Sequence, residues 1–193
     1  MGGGTGSFTV LTGLKNYPDL DLAAIVAMTD EGGSTGLLRD ELGALPPGDI
    51  RQCLVALAHA EDIWRNLFTY RFTNGNLQGH NFGNLFISAL EQITGSFEQA
   101  IALAGQILQT QGQVIPVTLD NVRLVATTSR GKRVLGEHQI DLKTTAIKDI
   151  SFTPEPTANP KALESLLQSN LIVIGPGDIY TSLLPTQLVP GIK

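Results

Sequence analysis

Leu22-Ala23-Ala24-Ile25-Val26-Ala27-Met28-Thr29-Asp30-Glu31-Gly32-Gly33-Ser34-Thr35-Gly36 is the stretch from which the fold is read. The run from Leu22 to Met28 is continuously apolar and short, as in a strand buried on both faces of a parallel sheet. A glycine turn follows, and Leu37 to Leu42 then fit a short helix. The same order of turn and helix stands at the N-terminus. There Gly2-Gly3-Gly4-Thr5-Gly6-Ser7-Phe8 precedes Val10, Leu11 and Leu14 at helical spacing, and Asn16-Tyr17-Pro18 ends the segment. Near the other end, Leu171 to Ile174 reads as a second buried strand running into Gly175-Pro176-Gly177-Asp178 and a third candidate helix. Alternation of buried strand, glycine turn and helix makes the class α/β with a mostly parallel, Rossmann-like sheet.

Between these landmarks the chain is first helical. Pro46-Pro47-Gly48-Asp49 reads as a helix start, with Asp49 as N-cap and apolar positions at Ile50, Leu54, Val55, Leu57 and Ala58 running on to Ala60. Helices are also expected from Ile63 to Tyr70, from Gly79-His80-Asn81-Phe82-Gly83-Asn84 to the stop at Gly95, and from Phe97 to Leu108. The character then changes. Val122 to Thr127, the turn Ser129-Arg130-Gly131-Lys132, Val134-Leu135 and Ile147 to Phe152 read as a small β-hairpin annex appended to the main sheet. After a loop from Pro154 to Pro160, Ala162 to Leu167 fits a short helix.

Composition narrows the classes. A chain of 193 residues is one domain, or one domain with a small annex, at roughly 100 to 200 residues per domain. The 42% hydrophobic content supplies a core without metal or disulfide, and the single cysteine, Cys53, has no internal partner. Thirteen Lys and Arg against eighteen Asp and Glu give a net charge of −5, which removes any global attraction to nucleic acid or anionic membrane. No apolar run is long enough for a membrane span, and no leader pattern opens the chain, so a cytoplasmic protein is expected. Glycine is abundant, 21 of 193 residues, which fits a backbone that turns sharply or comes close to something at several points.

Each glycine turn would place free amides and the positive end of a helix dipole beyond the carboxyl edge of a strand, a natural anion site. If the turns at Gly2–Gly6, Gly32–Gly36 and Gly175–Gly177 converge on one crevice, a nucleoside diphosphate is the ligand that fits. The Walker pattern is absent, and Ser7 stands where a dinucleotide fingerprint has its third glycine. Asp30, at the end of its strand, could still meet a ribose hydroxyl, so a nicotinamide enzyme is a weakly signalled alternative. Asp30 and Glu31 together read either as a solvated acidic turn or as carboxylates for Mg²⁺ shared with phosphate. Arg51, on the helix that follows Asp49, is a candidate anion clamp. His80 and Asn84, four residues apart, share a helix face, where the imidazole either donates to a phosphate oxygen or acts as a proton donor near neutral pH, or else is a capping or core histidine. His59 and His138 are assigned to surface or packing, and Cys53, Trp64 and the phenylalanines to the core.

Five motifs in order carry a family resemblance: Gly2-Gly3-Gly4-Thr5-Gly6, Asp30 to Gly36 with Leu38-Arg39, Pro46 to Arg51, Gly79 to Asn84, and Gly175 to Ser182. They closely resemble the gluconeogenesis factor family of bacteria, which belongs with the 2-phospho-L-lactate transferase (CofD-like) superfamily. The resemblance implies a Rossmann-like cytoplasmic protein that binds UDP-sugars, has no settled catalytic activity, and supports cell shape and envelope synthesis during growth on gluconeogenic carbon. The related transferases move a phospholactyl group from a nucleotide diphosphate carrier onto a deazaflavin, with Mg²⁺. Gly3, Gly4, Thr5 and Gly6 are expected to hold one end of the ligand while Asp30, Gly33, Ser34, Arg51, His80 and Asn84 line the same cleft, with Asp30 as the one metal candidate. A homo-oligomer is among the assemblies this allows.

Three departures bear on that expectation. Glu31 stands where members carry a second aspartate, and Asp178 stands where they carry serine, which puts a negative charge at the third turn. The family also has an apolar strand just ahead of its Gly-Gly-Gly-Thr-Gly and roughly a further third of its length beyond the point where this chain stops. The chain is therefore expected to be truncated at both ends.

Overall fold

The computed structural model describes residues 1–142 and 146–193. Short, largely apolar segments make its parallel sheet. Strand β1 (Ala23–Val26) pairs in parallel with β2 (Gln113–Pro116), Ala23 opposite Gln113 and Val26 opposite Pro116. Ala24, Ile25, Val26, Val114 and Ile115 are buried, as strands covered on both faces must be. The first strand is the one expected from the sequence. Its partner β2 is new: so brief a Val-Ile pair after polar Gln111-Gly112-Gln113 has too little periodicity to be distinguished from a loop.

Helix α1 (Gly4–Leu14) follows the first glycine turn and α2 (Gly33–Leu42) the second. The helical insertion is α3 (Gly48–Leu57), α4 (Asp62–Thr69), α5 (Phe82–Thr94) and α6 (Phe97–Leu108), with a 3₁₀ turn at Gly75–Leu77. Its boundaries follow local chemistry. Asn81 caps α5 by accepting from the Asn84 amide, Gly95 ends it in the left-handed region, and Ser96 caps α6 by accepting from the Gln99 amide. Ile50, Cys53, Leu54 and Leu57 of α3 are fully buried and share one core with Phe68, Ile87, Ala100, Ala104 and Leu108. Burying each such side chain contributes about 1.5–3 kcal/mol, so α3, apolar on nearly every side, is the centre of the core.

Strands β3 (Arg123–Thr128), β4 (Arg133–Leu135) and β5 (Ile147–Thr153) form an antiparallel sheet in the order β4-β3-β5, with α7 (Glu137–Asp141) against it. The annex was expected as an extension of the main sheet; it is instead a separate sheet with its own small core of Leu124, Ala126, Val134, Ile140 and Ile150. Helix α8 (Pro160–Gln168), a π-helical turn at Ile179–Leu183 and α9 (Leu184–Leu188) complete the described chain.

Two further expectations are corrected. Leu171–Ile174 is not a buried strand: it has no strand assignment, and its four side chains are 79%, 51%, 41% and 54% exposed. The physical reason is the absence of a continuous ladder beside it. Among the described residues its backbone partner is the Met1-Gly2 dipeptide: the Met1 amine donates to the Val173 carbonyl at 2.7 Å and Gly175 N–H to the Met1 carbonyl at 3.0 Å. On its other side Gly2 N–H donates to Ile25 O, and Ala27 N–H to Gly2 O, both at 3.1 Å. Beneath the dipeptide a cavity of about 760 Å³, lined by Leu11, Leu22, Ile25, Cys53 and Ile172, separates the two segments. Trp64 is likewise not core but 39% exposed on α4.

Gly112 controls the β1–β2 register. Its φ is +84°, and a Cβ there would press into the Leu22 carbonyl that accepts from Gln113 N–H at 2.8 Å. Gly112→Ala is expected to cost at least about 2 kcal/mol in urea unfolding. Gly13→Ala, in α1 with open space around the added methyl, is expected to be neutral or stabilising by up to about 1 kcal/mol.

Candidate functional site

Asp30 lies just past the carboxyl end of β1, and its carboxylate closes the second glycine turn from within. Oδ1 accepts from Gly32 N–H at 2.9 Å, Oδ2 accepts from the Thr35 hydroxyl at 2.7 Å, and Arg39 Nη1 donates to the Asp30 carbonyl at 3.2 Å. Thr35 Oγ1 also accepts from Asn84 Nδ2 at 3.3 Å, and Asn84 Oδ1 accepts from Arg51 Nε at 2.9 Å. Beside this chain of bonds, Ser34 Oγ lies 3.4 Å from His80 Nδ1 and accepts from Asn81 N–H at 3.1 Å. Ser34, Thr35, Arg39, His80, Asn81 and Asn84 are all buried. Segments far apart in the chain are thus tied at one rim of the β1 edge, where the N-termini of α2 and α5 meet.

Asp49 is the residue whose role the sequence misjudged. It was read as a helix cap, but the N-cap of α3 is Pro47 and Asp49 lies within the first turn. Its carboxylate points back at the first glycine turn, occupying the space where a Gly3 side chain would be, and faces the Gly4 amide. Asp30 in turn fills the space a Gly48 side chain would need. Burial, and secondarily the Asp30 charge, push the Asp49 carboxyl up to about 7, against the opposing pull of the Gly4 amide and Arg51. Glycine at 3 and 48 is therefore a packing requirement of two carboxylates that face one cleft.

The remaining expected residues are placed as follows. Thr5 and Gly33 are exposed at the starts of α1 and α2, and Gly4 sits beside Asp49. Gly6 backs onto the Pro176 carbonyl, which leaves no room for a side chain. The third turn therefore packs against the first, but its anion is its own: Asp178 Oδ1 accepts from the Tyr180 and Thr181 amides at 2.8 and 3.0 Å and from the Thr181 hydroxyl at 3.1 Å. Glu31 turns away from Asp30 toward the annex, 3.4 Å from Arg123 and 3.9 Å from Arg39, and it fills the space beside Gly136. Its amide faces Glu137, whose carboxyl is pushed up to about 8 by burial, then by the charges of Asp141 and Asp30. His59, exposed, bonds to Gln111, His138 is exposed on α7, and Cys53 is buried, its thiol raised by burial.

The donor set bears on Mg²⁺. Among the described residues no group of three or more His, Cys, Asp or Glu side chains could by itself cage a metal. Mg²⁺ normally needs only one or two carboxylates when ligand phosphates supply further oxygens. Asp30, with Asp49 beside it, would supply such carboxylate oxygens to a cation bound together with phosphate.

The raised Asp49 value fixes the sign of a stability effect. Between the ordinary aspartate range near 4 and about 7, the folded chain holds a proton that the unfolded chain has lost, so stability falls as pH rises across that window. Asp49→Asn removes this penalty. Relative to the parent it is expected to gain about 1–3 kcal/mol between pH 5 and pH 8, read from urea midpoints at the two pH values.

The family described as 2-phospho-L-lactate transferase CofD matches residues 1–193. The gluconeogenesis factor of Bacillus subtilis is 44% identical over 194 residues, covering 100% of this chain and 61% of that protein. That of Listeria monocytogenes is 42% identical over 191 residues, covering 98% of this chain and 59% of that protein. A crystal structure of a UPF0052-family protein from Bacillus halodurans superposes with a TM-score of 0.95 at 42% identity, covering 99% of this chain and 62% of that one. The chain spans about 60% of the length of these relatives. With the whole chain matched and its motifs gathered at one rim, this protein belongs to the CofD family, among relatives named gluconeogenesis factor.

Proposed function

We propose that this chain is the nucleotide-sugar-binding part of a cytoplasmic regulatory protein of the gluconeogenesis factor type, supporting cell shape and envelope synthesis during gluconeogenic growth. The observation that carries the reading is the hydrogen-bonded run from Asp30 through Thr35 and Asn84 to Arg51, with Ser34 and His80 beside it and Asp49, facing the first glycine turn, near enough to feel the Asp30 charge. Helix N-termini, a guanidinium and an imidazole suit phosphate oxygens, and the carboxylates suit sugar or ribose hydroxyls. In this reading Gly3, Gly4, Thr5 and Gly6 face one end of a UDP-sugar, while Asp30, Gly33, Ser34, Arg51, His80 and Asn84 line the rest. No helix among the described residues is long and apolar enough to cross a membrane.

The pairing of Asp30 with Asp49 supports a second reading, a Mg²⁺-dependent transfer of a phosphorus-containing group from a nucleoside diphosphate donor. The cation would be held by Asp30, and His80 would donate to the transferred phosphate.

The first reading expects UDP-N-acetylglucosamine to raise the melting temperature. At one hundred times Kd, linkage supplies about 2.7 kcal/mol, which corresponds to several degrees in a chain of this size. No shift at millimolar ligand would overturn it. The second expects nucleotide release from donor, acceptor and Mg²⁺, abolished in Asp30→Asn; no release by the parent chain rejects it without touching simple binding.

A further inference from the structure

The sequence singled out one cation for the cleft. The fold brings a second, Arg71, to the same place. Tyr70–Phe72 and Gly79–Phe82 form a small clasp: Phe72 N–H donates to His80 O at 2.9 Å, Gly79 N–H to Phe72 O at 2.9 Å and Phe82 N–H to Tyr70 O at 2.8 Å, with Arg71 bridged to Asn81. This clasp delivers His80 and Asn81 to Ser34, and it carries Arg71 over the start of α2. The Arg71 guanidinium donates to the Gly79 carbonyl, and its Nη1 lies 3.7 Å from where a Gly33 Cβ would stand.

Arg51 approaches the same rim from α3, held by Asn84 Oδ1 and, at 3.4 Å, by the Phe68 carbonyl. Burial first, and then the charge of Arg71, disfavour the charged form of Arg51. Neither is in an ion pair among the described residues. Asp30 and Asp49 offset part of the repulsion at Arg51 without a direct ion pair among the described residues, and an anion lodged between the two guanidinium groups would pair with both. The neighbouring helix end agrees in sign. Asp30 Oδ1 accepts from the Gly32 amide, while Gly32, the N-cap of α2, offers no side chain to the amides beyond it.

We infer that Arg71 and Arg51 are the two arms of a diphosphate clamp over the N-terminus of α2, with Gly33, Ser34 and His80 as its floor. The inference rests on the nucleotide-binding reading above and deepens it: the diphosphate lies at the second glycine turn. The first turn, whose Gly4 amide faces Asp49, meets the uncharged sugar or ribose end. Arg71 thereby becomes a binding residue that carries charge to the ligand.

Calorimetric titration of the full chain with UDP-N-acetylglucosamine, inorganic pyrophosphate and uridine tests this, using the parent, Arg71→Gln, Arg71→Lys and, as an exposed control remote in sequence, Arg130→Gln. The expected result is that Arg71→Gln weakens UDP-N-acetylglucosamine and pyrophosphate about tenfold, leaves any uridine binding unchanged and lessens the salt dependence of affinity. Arg71→Lys should recover part of the loss, and Arg130→Gln should match the parent. Unliganded melting temperatures equal to the parent's establish that the loss is not unfolding, since Arg71 is exposed. Equal pyrophosphate and UDP-sugar affinities in parent and Arg71→Gln would overturn the clamp while leaving the nucleotide reading intact. Pyrophosphate binding that depends on Arg71, with no binding of the UDP-sugar, would keep the clamp and remove the nucleotide reading. A parent that binds neither removes both.

Discussion

Two carboxylates withdrawn from bulk water at the edge of a parallel sheet must be compensated, and the cleft is built from what compensates them. Asp30 receives an amide, a hydroxyl and, through its carbonyl, a buried guanidinium. Asp49 receives the amide end of α1 and the nearby charge of Arg51, and still keeps a proton to about 7. An uncompensated carboxylate in such a place would cost several kcal/mol, so each partner is held by the same need. Those partners come from the first turn, the second turn with α2, and α3, and Asn84 of α5 ties Thr35 to Arg51. The arrangement therefore links chain segments that apolar packing alone would not register to within a hydrogen bond.

The same requirement explains why the glycines stand where they do. Gly3 and Gly48 lack side chains because carboxylate oxygens occupy that volume, and Gly6 because the Pro176 carbonyl does. Phosphate-binding turns and turns that accommodate an internal carboxylate use the same residue type, since both need a bare backbone and outward amides. Chemistry separates them. The third turn satisfies its amides with Asp178, the first meets Asp49, and the second gives its Gly32 amide to Asp30 while α2 keeps no side-chain cap.

This is also why the site was only partly legible in the sequence. The β1 strand and the helix starts at Gly4, Gly33 and Phe82 are written locally, in apolar runs, glycines and the Asn81 cap, so local rules find them. Ser34, His80, Asn84 and Arg51 were legible as polar residues at motif positions, and they do meet. Asp49 was misread because a carboxylate at a helix start has a sufficient local explanation, while its real partners, Gly3, Gly4 and Asp30, are remote. Arg71 carried no signal at all: it comes close to Gly33 only through the 70–82 clasp, whose pairing is non-local. Leu171–Ile174 failed for the converse reason. Its composition is that of a strand, but a strand exists only with a ladder beside it, and composition does not show the neighbour.

The annex is joined to this cleft by charge as well as by its own packing. Arg39, buried on α2, donates to the Asp30 carbonyl and also to Asn121 Oδ1 at 2.8 Å and the Val122 carbonyl at 2.7 Å, at the entrance to β3. Glu31, next to Asp30, lies between Arg39 and Arg123, and Arg123 also pairs with Asp40. A buried guanidinium tolerates little displacement, because each donor withdrawn from its acceptor is left without water. Displacing the β3 end of the annex from Asp30 would therefore break buried bonds, which ties the annex to the rim that carries Asp30. The substitution of Glu for a second aspartate fits this arrangement. The added methylene lets residue 31 reach the two arginines of the annex side, so its charge serves the joint between the sheets and Asp30 faces the cleft with Asp49.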